Sequence, residues 1–190
     1  MNVTIYLGAS AGNRVDFLPA VRELGSAIAA NGFRLVYGGS ASGLMGELAK
    51  AALQEGGQVT GVEPAMFIEK HLQLEGLTEL IVTEDLPSRK KKMIELGDAF
   101  IAFPGGTGTL DEISEILCLN ALGTIQAPCI FYNLNGFYDP VRDLLDHMIS
   151  CGLSDRQRQK NVFFADSVED IILCLNSCKG ENNENGCSVL

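Results

Sequence analysis

Residues 99–112, AFIAFPGGTGTLDE, join an uninterrupted apolar run to a glycine-rich loop that ends in two carboxylates. A short apolar run without polar alternation is typical of a strand buried on both faces of a parallel sheet. Similar β-rich runs alternate with segments of helical periodicity; they are residues 3–7, 33–37, 58–62, 79–83, 128–132 and 162–165. This alternation predicts a doubly wound, Rossmann-like α/β fold, with a parallel sheet of about seven strands and helices on both faces.

Length and composition favour one domain of ordinary globular character. The chain has 190 residues, of which 46% are hydrophobic and 20% charged, and we expect a single domain over residues 1–178. Residues 179–190 are polar and low in apolar content, which predicts a disordered tail. The net charge of −10 argues against a nucleic-acid partner, since phosphate-rich ligands need a basic surface.

The cysteine spacing and the apolar runs bear on cofactors and location. The six cysteines form no CxxC pair, so no zinc spacing is present and reduced thiols are expected. We expect no metal and no cofactor. No signal peptide is recognisable, and the longest apolar runs are too short to span a bilayer. A cytoplasmic location is therefore expected.

Three glycine-rich loops follow the first, second and fifth predicted strands. They are residues 8–13, 38–46 and 104–112, and the carboxyl ends of parallel strands form the ligand crevice of such a fold. Glycine lets backbone N–H groups converge on an anion, and a helix N-terminus adds donors. A monophosphate suits the third loop, because the GK[ST] ending of a triphosphate loop and the GxGxxG dinucleotide fingerprint are both absent.

Two charged side chains near this crevice each allow two interpretations. Thr109-x-x-Glu112 fits a capping box, which would account for Glu112 without any chemistry and stabilise the helix by about 1 kcal/mol. Arg89 belongs to SRKKKM, a run that is usually a solvated helix face. Helical spacing, however, places Arg89 with Met93 on one face and turns Lys91 elsewhere, and arginine suits bidentate recognition of phosphate or carboxylate.

The combined motifs resemble the LONELY GUY family of cytokinin riboside 5′-monophosphate phosphoribohydrolases, many of which carry a "lysine decarboxylase-like" label. The family signature PGGxGTxxE, preceded by an RK pair, stands here as PGGTGTLDE at 104–112 with Arg89 and Lys90. YLGASAGN, LVYGGSASGLMG and NGFYDP also match, so that the resemblance extends nearly to Cys178.

The resemblance implies a reaction and a set of site residues. It implies hydrolysis of the N-glycosidic bond of a nucleoside 5′-monophosphate, with Arg89 and Glu112 as the catalytic pair. The residues that it implies for the 5′-phosphate cradle are Gly105, Gly106, Thr107, Gly108 and Thr109. Those that it implies for the rest of the nucleotide site are Ser10, Gly39 and Lys90. The chain departs from the family pattern at Ala9, Ser40, Leu86 and Pro87, which bears on base preference, cytokinin or adenine.

Other readings concern the chemistry, the assembly and the tail. A pyridoxal-phosphate lysine decarboxylase is disfavoured, because the crowded RKKK run offers no isolated lysine for a Schiff base. A non-catalytic nucleotide carrier or sensor on the same fold stays open.

The resemblance implies a homodimer. The last four residues, Cys187-Ser-Val-Leu190, fit a C-a-a-X box with no polybasic stretch before it, so that a prenyl anchor at Cys187 and a chance match both stay open.

Overall fold

The computed structural model describes residues 1–180, in which strands and helices alternate. The strands are β1 (Asn2–Tyr6), β2 (Arg34–Tyr37), β3 (Val59–Pro64), β4 (Glu79–Thr83), β5 (Ala99–Ala102), β6 (Cys129–Tyr132) and β7 (Val162–Ala165). The helices are α1 (Phe17–Ala30), α2 (Gly43–Gln54), α3 (Ala65–Ile68), α4 (Leu86–Leu96), α5 (Thr107–Ala121), α6 (Asp139–Ser150) and α7 (Val168–Gly180), with a 3-10 turn at Leu134–Gly136.

The seven strands form one sheet in the order β4-β3-β2-β1-β5-β6-β7, and each of the six pairings between these strands is parallel. The predicted doubly wound α/β fold is therefore confirmed. The chain builds outward from β1 to the edge strand β4 and then returns to add β5 on the other side of β1. This reversal is the switch point at which such sheets open a crevice at the carboxyl ends of their strands.

Helices cover both faces of the sheet, and each face has its own apolar core. On one face α1, α2 and α7 bury Leu24, Leu48 and Ile171, all with 0% exposure. On the other face α4 and α5 bury Met93 and Ile116. Each such side chain contributes roughly 1.5–3 kcal/mol relative to an exposed position. The strand β5 lies between the two cores, as the apolar run at 99–103 predicts.

The last helix continues past the end of the predicted domain. The boundary expected at residue 178 falls within α7, which ends at Gly180. Ser167 begins this helix, and its Oγ accepts a hydrogen bond from the backbone N–H of Asp170 at 3.1 Å. Residues 181–190, and with them the predicted lipidation site Cys187, lie outside the described residues. Within residues 1–180, no helix is both long enough and apolar enough to cross a membrane.

Candidate active site

A cavity of about 480 Å³ opens at the carboxyl ends of β1, β2, β3 and β5. All three predicted glycine loops contribute to its wall, through Gly8, Gly38 and Gly106 among others. The first two loops meet closely: Gly43, with φ of +54°, packs against the backbone of Ala9 and leaves no room for a side chain. The predicted crevice is therefore present where the topology reverses.

The third loop leaves backbone N–H donors without acceptors at the N-terminus of α5. Gly106 is the N-cap, and the first N–H bonded back into the helix is that of Leu110, which donates to the Gly106 carbonyl at 3.1 Å. The N–H groups of residues 107–109 therefore have no intrahelical acceptor. The Thr109 hydroxyl is buried, packs against Gly105 and has no hydrogen-bond partner. Free donors at a helix N-terminus suit a phosphate.

Arg89 and Glu112 form an ion pair in the cavity wall. Nη1 of Arg89 donates to Oε1 of Glu112 at 2.7 Å, and the side chains are only 13% and 11% exposed. Nε of Arg89 donates to the Val62 carbonyl at 3.0 Å, while Nη2 lies so close to Gly38 that a Cβ there would displace it. The two hydrogen bonds thus hold the guanidinium between β3 and α5, with Nη2 beside the loop that follows β2.

The carboxyl of Glu112 is held in a poorly hydrated place. Burial raises its pKa above the ordinary value, and the positive charge of Arg89 offsets only part of that rise. In the described part of the chain, nothing donates a hydrogen bond to its second oxygen, Oε2. Glu112 can therefore present one carboxylate oxygen to a ligand while Arg89 fixes the other.

The capping-box interpretation of Glu112 is wrong. The box requires Thr109 to precede the helix, but α5 already begins at Thr107, which makes Thr109 a helical residue. Glu112 stands one and a half turns into the helix and reaches across to Arg89 on α4 instead of back to a backbone N–H. The helix begins earlier than the hydroxyl pattern suggested, with Gly106 as an N-cap of extended backbone and no side-chain hydrogen bond at the cap.

Comparison with known proteins agrees with this geometry. A family model described as "Possible lysine decarboxylase" matches residues 45–175. The cytokinin riboside 5′-monophosphate phosphoribohydrolase of Rhodococcoides fascians is 40% identical over 177 residues, 93% of this chain and 89% of that protein. The LOG enzyme of Oryza sativa subsp. japonica, which bears the same description, is 32% identical over 91% of this chain and 72% of its own length. The chain belongs to the LONELY GUY family.

The same fold also occurs in solved structures of proteins that are not named as phosphoribohydrolases. The molybdenum cofactor binding protein of Rippkaea orientalis is 25% identical, covers 93% of this chain and 95% of its own, and superposes with a TM-score of 0.69. The fold alone therefore does not separate a LONELY GUY hydrolase from a carrier. The side chains in the cavity carry that distinction.

Most of the site residues expected from the LONELY GUY resemblance line the cavity. They are Ser10, Arg89, Gly106, Thr107, Gly108, Thr109 and Glu112. Of the residues at which the chain departs from the family pattern, Ala9 and Ser40 also line it, whereas Leu86 and Pro87 do not.

Gly39, Gly105 and Lys90 stand behind the cavity wall. Gly39, with φ of +83°, packs against the Glu63 side chain, and Gly105 packs against Thr109. The Lys90 ammonium contacts Asp111 at 3.0 Å and Glu115 at 3.2 Å, and its hydrogen bond to Asp111 raises its pKa. None of the cavity-lining residues in the described chain is a lysine.

Sequence reasoning missed Glu63, a buried acid in the wall of this LONELY GUY site. It lies in β3 with 1% exposure, and its Oε2 has no hydrogen-bond partner. Burial raises its pKa to about 7, although nearby Arg89 opposes the shift. The signal was available, since one acid interrupts the β-rich run VTGVEP. The apolar side chains that line the same cavity include Met45, Phe67 and Leu72.

We expect Glu63→Gln to stabilise the protein at pH 8 and not at pH 4. The folded chain holds the Glu63 proton to about pH 7, whereas the unfolded chain releases it near 4.5, so stability falls as pH rises between these values. The gain at pH 8 is at most about 3 kcal/mol, and smaller where water in the open cavity screens the charge. Urea unfolding at both pH values measures it, with the exposed Glu69→Gln as control; equal gains at both pH values would contradict the assignment.

Proposed function

We propose that this protein hydrolyses the N-glycosidic bond of a nucleoside 5′-monophosphate and releases the free base and ribose 5-phosphate. The observation that carries the proposal is the Arg89–Glu112 pair at 2.7 Å, held in the same cavity as an anion cradle. The names of the relatives extend it to cytokinin riboside 5′-monophosphates. AMP, which has the same ribose phosphate and an unsubstituted adenine, is the second substrate that we propose.

The roles of the two groups follow from the charges that develop. As the bond to the base breaks, the ribose gains oxocarbenium character, which the Glu112 carboxylate stabilises while its free oxygen orients the attacking water. The hydroxyl of that water adds to C1′, and its proton ends on the departing base. Arg89 fixes the carboxylate through Nη1, and its Nη2, which has no acceptor in the described chain, can bind the phosphate or ribose, or assist the departing base.

The cradle at residues 106–109 supplies binding energy remote from the broken bond. A phosphate held by the free N–H groups and by the orphaned Thr109 hydroxyl orients the ribose against Glu112. Such remote binding energy raises the rate of the chemical step as well as affinity. The family position and the buried hydroxyl both support a monophosphate in this place.

A nucleotide carrier on the same fold is the second candidate, favoured by the likeness to a cofactor-binding protein. A carrier of a phosphorylated ligand gains nothing from a buried carboxylate beside a negative charge, since like charges repel. The burial of Glu112 against Arg89 therefore favours the hydrolase.

We expect AMP and isopentenyladenosine 5′-monophosphate to release free base when incubated with the protein. Adenosine, which lacks the phosphate, should react at least about 10²-fold more slowly in kcat/KM, because the cradle stays empty. Chromatographic quantification of base measures both rates. Tight AMP binding without any base release would instead establish the carrier.

The proposals for assembly and location rest on exposed apolar side chains and on the C-terminal sequence. We propose a homodimer, in which a second copy covers exposed apolar side chains near the edge strand β4, among them Met66, Val82 and Leu86. Sedimentation measures the assembly.

We also propose a cytoplasmic enzyme, with prenylation of Cys187 as a membrane tether. Mass spectrometry of the C-terminus from cells would detect the prenyl group.

A further inference from the structure

Glu63 stands at the end of the cavity opposite the phosphate cradle. The cradle follows β5, whereas Glu63 lies at the carboxyl end of β3, and β1 and β2 separate these strands. Three strand spacings of about 4.8 Å place the two ends about 14 Å apart. Arg89, which bonds Val62 of β3 and Glu112 of α5, stands between them. The cavity thus has the phosphate cradle at one end, Arg89 and Glu112 in the middle, and Glu63 at the other end.

The end of the cavity that holds Glu63 has the composition of a binding site for a flat heterocycle. Its wall combines the apolar side chains of Met45, Phe67 and Leu72 with the carboxyl of Glu63. Pockets of this kind bind a ring through apolar contact and fix its orientation through few polar groups. The segment that carries Leu72 is held over the second loop by backbone bonds, from Ala41 N–H to Leu72 O at 2.8 Å and from Leu74 N–H to Gly39 O at 2.9 Å.

Two buried polar groups at this end of the cavity, the Glu63 carboxyl and the Tyr37 hydroxyl, lack hydrogen-bond partners. Oε2 of Glu63 is buried and unbonded, and the neighbouring Tyr37 hydroxyl is likewise buried without a partner. Gly39 packs directly against the carboxyl, so that a side chain at residue 39 would collide with it. Arg89, the nearby cation, uses Nε and Nη1 on Val62 and Glu112. A buried polar group without a partner is costly, which indicates that a ligand or water completes this one.

Resting on the proposed hydrolase function, we infer that Glu63 recognises the base of the substrate through a pair of hydrogen bonds. In its protonated form the carboxyl donates O–H to a ring nitrogen and accepts N–H from an adjacent exocyclic amine with its carbonyl oxygen. Adenine and adenines carrying one N6 substituent present this acceptor and donor side by side. An adenine with two N6 substituents has no N–H to donate, and unsubstituted purine has no exocyclic amine. Glu63 selects against both.

The test separates base recognition from turnover. In a Glu112→Gln background, where the ligand should persist, calorimetry measures the affinities for N6-methyl-AMP, N6,N6-dimethyl-AMP and ribose 5-phosphate. We expect the dimethyl ligand to bind at least about tenfold more weakly than the monomethyl ligand. Adding Glu63→Gln, which keeps one donor and one acceptor, should preserve that ratio. Adding Glu63→Met, similar in volume and apolar, should bring it near one without changing the affinity for ribose 5-phosphate.

Gln73→Met is the matched control, because Gln73 also has a buried unbonded oxygen but does not line the cavity. It should leave the ratio unchanged. An equal affinity for the two methylated ligands in the parent protein would overturn the inference even if Glu63→Met failed to fold, and so would a ratio that survives Glu63→Met. Failure of the hydrolase proposal would show separately, as absence of base release by the wild-type protein.

Discussion

Replacing Glu112 with glutamine is expected to lower kcat for base release by on the order of 10³-fold and to leave the melting temperature within about 5 °C of wild type. Glutamine keeps the shape of the side chain and an oxygen for Nη1 of Arg89 at the observed 2.7 Å, so the wall of the cavity stays in place. It removes the negative charge that, in the proposed mechanism, stabilises the oxocarbenium-like ribose. Base release from AMP and thermal unfolding measure the two quantities.

Asp111→Asn is the matched control for this variant. Asp111 precedes Glu112 on the same helix, but its exposed carboxylate contacts Lys90 instead of Arg89. We expect its kcat to stay within about threefold of wild type. If Glu112→Gln retains full kcat, Glu112 serves only to pair Arg89. Glu112→Ala is a poorer test, because it leaves the half-buried Arg89 charge without its partner and destabilises the fold by roughly 1–3 kcal/mol.

The architecture was predictable because local patterns and global fold agree. Each of the seven predicted strands corresponds to a strand of the sheet, with ends that differ by at most two residues. Strands buried on both faces carry continuous apolar runs, and β5 between two cores is the clearest case. Chain order alone then implies parallel strands with right-handed crossovers. The crevice at the ends of β1, β2 and β5 follows from that topology.

The site residues were predictable where a local sequence pattern marks them. They were less predictable where their role depends on contacts between elements that are distant in the chain. The glycines of the third loop and the helical face of Arg89 are local signals. Glu112 was ambiguous, since the spacing Thr109-x-x-Glu112 also fits a capping box, and only the start of α5 at Thr107 decides against it. Glu63 was missed because its importance lies in burial and a missing partner, which arise from the packing of β3 against Gly39.

Arg89→Lys is expected to lower kcat/KM for AMP by on the order of 10²-fold or more. The guanidinium bonds the Val62 carbonyl and the Glu112 carboxylate in two directions and extends Nη2 past Gly38 in a third. A lysine ammonium keeps the charge but cannot hold all three positions, so Glu112 loses its fixed orientation. Steady-state kinetics with AMP and adenosine distinguish the possible roles: a smaller phosphate preference in the variant means that Nη2 binds the phosphate.

Lys90→Met tests how the adjacent cation differs from Arg89. The family resemblance implies a nucleotide contact for Lys90, yet its ammonium lies between Asp111 and Glu115, behind the cavity wall. Partly exposed ion pairs of this kind are worth about 1 kcal/mol or less, so we expect kcat/KM to change by less than about threefold. A loss equal to that of Arg89→Lys would contradict this and mean that Lys90 leaves Asp111 when the nucleotide binds. Lys91→Met, whose side chain is 80% exposed, sets the baseline for removing a positive charge from α4.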